Sequence, residues 1–147
     1  MAIQPLTLYN SAFLGLFNGT IDWANTTHVA AILCTATYTP LLTHATYADI
    51  TNQVADVDYA PKVVGTRTIS RNGDEIEFKS DPVNFGDTVT IEAQYLVLVA
   101  GDPANLLATD PVIGYVNFGE SKSSTAAAFT FTPSVTGWFR VSRTPCP

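Results

Sequence analysis

The dipeptide Asn72-Gly73 lies in the middle of the segment VVGTRTISRNGDEIEFKSD and predicts a tight β-hairpin. The favoured two-residue hairpin turn needs positive φ at both central residues, which Asn and Gly tolerate. Strands are therefore predicted at residues 66–71 and 74–80. In the second strand, Ile76 and Phe78 alternate with charged residues, as in a strand with one buried face. The centre of the chain thus predicts antiparallel β-structure.

Strand signals continue on both sides of this hairpin. The segment HVAAILCTATYTP, residues 28–40, reads as a buried strand that ends at Pro40. The longest strand is TVTIEAQYLVLVAG, which is apolar on both faces from Leu96 onward and so predicts entry into a layered core. Its predicted single face consists of Val89, Ile91, Ala93, Tyr95, Val97 and Val99. VIGYVNFG predicts a further strand that runs into a polar turn at ESKSST, and GWFRVSR predicts the last strand.

One short helix is predicted near the N-terminus, at residues 8–17. Its apolar residues share one face at i, i+4, i+7 and i+8 spacing, namely Tyr9, Phe13, Leu16 and Phe17. Asn18-Gly19 supplies a helix stop. A helical turn is also predicted within residues 47–54.

The composition indicates one folded domain. The chain has 147 residues, of which 46% are hydrophobic and 14% are charged, and this length suffices to bury a core. We therefore predict a single domain over residues 1–147, with short extended arms at about 1–7 and 143–147. The predicted fold class is mainly β: an antiparallel, jelly-roll-like β-sandwich with one short N-terminal helix.

Charge and hydropathy exclude two classes of partner. Seven Lys and Arg against thirteen Asp and Glu give a net charge of −6, and no basic patch is present that could neutralise nucleic-acid phosphates. The longest apolar run, YLVLVAG, is too short for a membrane helix. Cys34, within VAAILC, is predicted to be a small buried hydrophobe. Whether Cys34 or Cys146 forms a disulfide is left open.

The segment GYVNFGESKSS resembles a phosphate-binding loop but lacks its chemistry. Gly114 and Gly119 have the required spacing, whereas Glu120 stands where the loop needs lysine and would repel phosphate. The second glycine of a G-x-S-x-G nucleophile motif is also missing. His28, His44 and Asp56-Val57-Asp58 show no metal-ligand spacing. No catalytic residue, cofactor or metal is therefore expected.

Five aromatic residues could form a sugar-binding platform or a protein interface. They are Trp23, Tyr38, Tyr47, Tyr59 and Trp138. The alternative, which we favour for any single one, is that it belongs to the core.

Several segments, taken together, resemble a known group of proteins over about residues 8–142. They are LYNSAFLGLFNGTIDW, HVAAILCTATYTP, THATYADITNQV, the central NG hairpin, YLVLVAGDPANLLATDPVIGYVNFGESKSST and FTFTP. The group is the small structural proteins of tailed bacteriophages. The resemblance implies a virion component that is not an enzyme, made in the host cytoplasm.

Within that group, the resemblance favours a capsid decoration (cement) protein on the outer head surface. It would bind the major capsid protein and other copies of itself, as a homotrimer. The interface candidates are Ile3, Pro5, Leu6, Leu8 and Trp138. The first four are apolar residues of a predicted extended terminus, and we expect such side chains to pack against another surface. The N-terminal residues could instead pack on the chain's own sheets. A tail, baseplate or fibre component with a glycan-binding face, or a small hydrolase of the cell envelope, are the alternatives.

Overall fold

The computed structural model describes residues 6–142, which form a mainly β structure with antiparallel strand pairing and one short N-terminal α-helix. The elements, in chain order, are β1 (Thr7–Leu8), α1 (Asn10–Asn18), β2 (Ala30–Cys34), a 3-10 helix (Tyr47–Asp49), β3 (Lys62–Val63), β4 (Thr68–Asn72), β5 (Glu75–Lys79), β6 (Val83–Asn84), β7 (Val89–Val99), β8 (Val112–Ala127), β9 (Thr130–Phe131) and β10 (Phe139–Ser142). The strands form a five-stranded sheet in the order β1-β8-β7-β2-β3, a three-stranded sheet β10-β5-β4 and a two-stranded sheet β6-β9. The predicted mainly β class and the N-terminal helix are confirmed.

The predicted hairpin is present, with a different turn from the one expected. Asn72 pairs with Glu75, so that Gly73 and Asp74 are the two turn residues. Gly73 has a φ of 63°, whereas Asn72 and Asp74 are not among the residues with positive φ. Asn72 belongs to β4, and its side-chain amide donates to Glu77 Oε1 across the hairpin at 3.0 Å. A turn with positive φ only at its first position needs glycine there alone.

The pairing of β7 with β8 is irregular in the middle of the five-stranded sheet, and the side chains of β7 change faces at this point. Ala93 pairs with Lys122 and Tyr95 pairs with Asn117, so that one residue of β7, Gln94, lies opposite four residues of β8. Such an irregularity disrupts the ladder and can redirect the side chains that follow it. The larger core therefore receives Val89, Ile91 and Ala93, and then Leu96 and Leu98. Tyr95, Val97 and Val99 contribute to a second core on the other face. The single predicted face is wrong because β7 changes faces at this irregularity.

The middle of the five-stranded sheet is buried on both faces, as the apolar sequence predicts. Every residue of β2 is 0% exposed. Burial of Cys34 raises the pKa of its thiol to about 12, in keeping with its predicted role as a buried hydrophobe. The strand ends at Cys34 and not at Pro40, because the chain turns at once: the Tyr38 N–H donates to the Thr35 carbonyl at 3.1 Å.

Strand β8 extends through the segment that was predicted to be a polar turn. Asn117 pairs with Tyr95 and Lys122 pairs with Ala93, so that residues 118–121 bulge out of the ladder and pairing resumes beyond them. Gly119 accommodates the bulge with a φ of 82°. Most of the ESKSST segment is exposed because it belongs to the part of the sheet beyond β2, whereas Ser124 is buried and its hydroxyl donates to the Val89 carbonyl at 2.8 Å. The segment that resembled a phosphate loop is thus extended backbone with a bulge.

Gly114 allows the N-terminal strand to join this sheet. Strand β1 pairs with β8 so that Leu8 lies opposite Gly114. A Cβ atom at position 114 would lie 2.6 Å from the carbonyl oxygen of Thr7 and 2.9 Å from Leu6 Cγ. Such separations are far shorter than ordinary van der Waals contact. Glycine is therefore needed here for the close approach of another backbone.

The predicted helical turn in residues 47–54 is limited to Tyr47–Asp49. Its aspartate, Asp49, closes the turn by accepting hydrogen bonds from the backbone N–H groups of Ala45 at 2.8 Å and Thr46 at 3.0 Å. These bonds favour the ionised carboxylate, and they lower the pKa of Asp49 below its ordinary value of 3.8.

Acid should weaken the fold in part through Asp49. A carboxyl group whose pKa is lower in the folded state contributes stability above its unfolded pKa and loses it as the pH falls through the folded pKa. We expect the free energy of unfolding to fall below about pH 4, and to fall less steeply in Asp49→Asn. Urea titrations at about pH 7, 4 and 3 measure this dependence. Asp81→Asn controls for the loss of one exposed carboxylate, and equal slopes in Asp49→Asn and wild type would contradict the assignment.

Candidate interaction surface

Helix α1 exposes its large apolar side chains and buries its small ones. At about 100° per residue, Phe13, Leu14 and Phe17 lie on one side of the helix, opposite Ala12 and Gly15. The first three are 51%, 64% and 69% exposed, while Ala12 is 0% exposed and Gly15 is buried. We call Phe13, Leu14 and Phe17 the apolar ridge.

This arrangement corrects the predicted apolar stripe. Tyr9 is buried and Leu16 is half-buried, whereas Phe13 and Phe17 face solvent and contact each other edge to face with ring centroids 5.2 Å apart. A helix on the surface of a domain buries one side and leaves the other exposed, and here the exposed side is apolar. The outward side is therefore available to a partner.

Close packing of the chain after α1 explains why small residues face inward. Gly19 ends the helix in the left-handed conformation with a φ of 81°, as the predicted stop requires. The chain then turns back beneath the helix, where the Ile21 N–H donates to the Gly15 carbonyl at 3.0 Å. A Cβ atom on Gly15 would lie 3.2 Å from Ile21 Cδ1. The tight contact on this side leaves the larger residues to the outside.

A buried hydrogen-bond chain fixes the start of α1. The Tyr9 and Tyr38 hydroxyls lie 2.7 Å apart, and the Tyr38 hydroxyl lies 3.1 Å from Nδ1 of His44. Burial, helped by this hydrogen bond, raises the pKa of Tyr9 well above its ordinary value, and burial raises the pKa of Tyr38 to about 12. Both phenols are therefore neutral at ordinary pH, and they join the helix start to the loop that contains His44.

The same loop brings two more exposed apolar residues to the helix. The Asn10 N–H donates to the Leu42 carbonyl at 3.0 Å. Leu41 and Leu42 are 54% and 48% exposed. The apolar surface of α1 is thus continued by the loop at its N-terminal end.

An apolar groove of about 400 Å³ lies on the other side of Phe17, between α1 and the three-stranded sheet. Its lining includes Leu16, Phe17, Ile21, Ile69, Ile76 and Val141, and we call it the apolar groove. The sheet presents apolar residues there because Ile69, Phe78 and Phe139 lie opposite one another, as do Ile76 and Val141. Ile69 is 44% exposed at the edge of the groove.

The opposite face of the three-stranded sheet is polar and internally paired. Lys79 Nζ lies 2.6 Å from Glu77 Oε2, and Arg140 Nη1 lies 2.9 Å from Glu75 Oε2. The hydrogen bonds from Lys79 and Asn72 lower the pKa of Glu77. These charges are already matched within the chain, and Glu77 is only 2% exposed.

Among the predicted interface residues, the structure brings Leu6 and Trp138 together, inside the core. Leu6 is 7% exposed and Trp138 is 2% exposed, and the Leu6 N–H donates to the Trp138 carbonyl at 3.1 Å. Leu8 is half-buried against the larger core. The side chains of Leu6 and Trp138 therefore pack within their own chain, and Leu6 and Thr7 belong to the fold and not to an arm. Ile3 and Pro5 lie outside the described residues, as does the predicted arm at 143–147.

The other singled-out aromatic residues also have structural roles. Trp23 is 0% exposed and Tyr38 is 1% exposed. Tyr47 donates to Gln53 Oε1 at 2.7 Å, and Gln53 Nε2 donates to the Tyr59 hydroxyl at 2.8 Å. They bind other parts of the same chain, as the core interpretation expects, and do not form a shared exposed platform.

The acidic pair Asp56 and Asp58 covers a strand edge. The N–H groups of Glu92 and Thr90, in the half of β7 that β2 does not reach, donate to the carboxylates of Asp56 at 3.3 Å and Asp58 at 3.0 Å. Over residues 6–142, no group of three or more His, Cys, Asp and Glu side chains is arranged to hold a metal ion. No helix in that range is long and apolar enough to span a membrane.

The sequence reasoning missed the outward direction of the ridge and the contributions of Leu14, Leu41, Leu42 and Ile69. One signal was available for the helix. Ala12 and Gly15 are small residues at i, i+3 spacing, and small residues at this spacing let a helix approach its neighbour closely. Comparison with known proteins adds no relative: no protein-family model, curated protein or solved structure matches this chain.

Proposed function

We propose that this chain is a structural protein of a bacteriophage virion, a capsid decoration (cement) protein that binds the outer head surface and bridges capsid subunits. The observation that carries the proposal is the apolar ridge of α1. Three large apolar side chains on one face, each more than half exposed, with a groove and two leucines beside them, form the kind of continuous apolar surface that marks a protein interaction site.

The charge of the chain supports a place on the outside of the head. A net charge of −6 disfavours contact with packaged DNA, whose phosphates repel an acidic surface. The partners in this proposal are the major capsid protein and further copies of this chain, as a homotrimer, with neither nucleic acid nor membrane. A trimer that engages several capsid subunits gains affinity from the high effective concentration of its second and third contacts.

The proposal extends to the finer description of the fold. We propose that the five-stranded sheet and the two smaller sheets pack as a jelly-roll-like β-sandwich around the larger core. This core contains residues from all three sheets, such as Leu98, Phe78 and Phe131. A rigid β-domain of this kind would hold α1 in a fixed orientation toward its partner.

Removal of the protein from virions tests the function directly. We expect virions that lack it to lose infectivity faster on heating and on treatment with a chelator, and we expect re-addition of the purified protein to restore resistance. Gold-labelled protein on intact virions should decorate the head. Labelling of the tail would select the tail, baseplate or fibre alternative, and unchanged resistance of the depleted virions would contradict a cement role.

A further inference from the structure

The apolar ridge and the apolar groove lie side by side on one chain, and both are formed mainly by apolar side chains. The ridge protrudes from α1, and the groove of about 400 Å³ begins on the other side of Phe17, which belongs to both. A surface that carries both a protrusion and a cavity of the same chemistry can be complementary to a second copy of itself. We propose that two copies of this chain associate by placing the ridge of one copy in the groove of the other.

The charge distribution favours a second copy as the occupant. Helix α1, NSAFLGLFN, contains no charged residue, although the whole chain has a net charge of −6. Copies of an acidic protein repel one another, and this repulsion is weakest where uncharged surfaces face each other. Among the described residues that line the groove, the one carboxylate is that of Asp22, which already accepts hydrogen bonds from the Asn25 side chain and backbone. Contact through the ridge therefore brings apolar groups together without opposing like charges.

The available apolar area is sufficient for a stable contact. A standard interface takes about 800 Å² from each partner, of which roughly 500 Å² is nonpolar. Six apolar side chains contribute to the surface, namely Phe13, Leu14, Phe17, Leu41, Leu42 and Ile69, and their exposures range from 44% to 69%. An aromatic side chain can bury about 150–250 Å² and a Leu or Ile about 60–120 Å², so that these six at about half exposure supply roughly 300–500 Å², which reaches that nonpolar area at its upper end.

The proposal rests on the proposed function, because it identifies the surface by which copies of an assembly protein meet. It also stands apart from that function in its test. Contact between copies is measured on the purified full chain, and occupancy of the head is measured on virions.

Sedimentation velocity of the full chain under reducing conditions tests the contact. We expect a mass of at least twice the 15.8 kDa of one chain. Leu14→Glu in the ridge and Ile69→Lys in the groove should each weaken association by at least about 30-fold, as expected of central interface residues. Both side chains are exposed in the single chain, so circular dichroism should show an unchanged fold.

A mixture of the two variants makes the test specific. If the ridge of one copy meets the groove of another, the carboxylate introduced by Leu14→Glu would lie beside the ammonium group introduced by Ile69→Lys. An equimolar mixture should therefore associate although neither variant does so alone. Val57→Glu and Val135→Lys are matched controls, because these valines are 98% and 91% exposed and lie outside the ridge and groove. They should leave the mass unchanged.

Three outcomes would overturn the proposal. They are a wild-type protein that stays monomeric up to about 100 μM, ridge and groove variants that keep the wild-type mass, or a mixture that does not associate. A monomeric protein that still occupies the head would assign the ridge to the capsid partner and leave the proposed function intact. A chain that self-associates but is absent from heads would remove the proposed function and keep the contact.

Discussion

Replacement of Trp23 by alanine should lower the free energy of unfolding by about 3–5 kcal/mol, the cost typical of deleting a large buried aromatic side chain. Trp23 is 0% exposed and lies edge to face against Phe78, Trp138 and Phe139, with ring centroids 5.9–6.5 Å apart. Its indole N–H also donates to the Lys79 carbonyl at 3.0 Å. The substitution would leave a cavity between α1 and the three-stranded sheet. A domain of this size has a total stability of only about 5–15 kcal/mol, so that the variant would be close to unfolding.

Urea unfolding followed by far-ultraviolet circular dichroism measures this effect, because loss of one of two tryptophans would complicate a fluorescence signal. Leu107→Ala is the control: it removes a large side chain that is 52% exposed and lies outside the ridge and the groove. We expect the control to change stability by less than about 0.5 kcal/mol. Similar losses in Trp23→Ala and Leu107→Ala would contradict the assignment of Trp23 to the core.

A single methyl group at position 114 should also destabilise the protein, by about 1–3 kcal/mol. The added Cβ of Gly114→Ala would lie 2.6 Å from the Thr7 carbonyl oxygen, which is backbone and cannot rotate away. Strand β1 would have to separate from β8. Because Tyr9 follows β1 directly and its N–H donates to the Ile113 carbonyl, the start of α1 should move with it.

Hydrogen exchange distinguishes this mechanism from a general loss of stability. Protection should fall first at the amides of β1 and the start of α1 and less in β2, since local opening need not involve the central strands. Gly65→Ala is the control, because apart from Gly65 and its two chain neighbours no atom of residues 6–142 lies within 4 Å of a Cβ built there, and its φ is not positive. A Gly114→Ala variant as stable as Gly65→Ala would refute the close approach of β1.

The elements that sequence predicts well here are those encoded by local chemistry. The hairpin around Gly73, the helix stop at Gly19 and the apolar run of β2 each depend on residues next to one another in the chain. A local pattern also predicts that both faces of β7 become apolar. Such features need no knowledge of the partner strand.

The features that sequence does not predict depend on distant segments. The irregular pairing of β7 with β8 at Gln94 depends on the partner strand, and the side chains of β7 change faces there. In the sequence, Gly114 looks like the first glycine of a phosphate loop. Its actual role, to leave room for the Thr7 backbone, is visible only in the folded chain. The side of α1 that is buried is determined by Ile21, which follows the helix in the chain and packs against Gly15. The spacing of the apolar residues predicts the helix, but it does not predict which of the two apolar sides is buried.

The position of β1 in the five-stranded sheet has a consequence for the time course of folding. Residues 7 and 8 pair with residues 115 and 114, and the Leu6 N–H donates to the Trp138 carbonyl. Residues 6–8 can therefore form these hydrogen bonds only after residues 114–138 have been synthesised. Contacts of such large sequence separation form slowly, and domains emerge from the ribosome N-terminus first. Helix α1 is therefore synthesised early and anchored late. Until β8 and residue 138 have been added, β1 cannot anchor the start of the helix, and interaction with chaperones is most valuable during that interval.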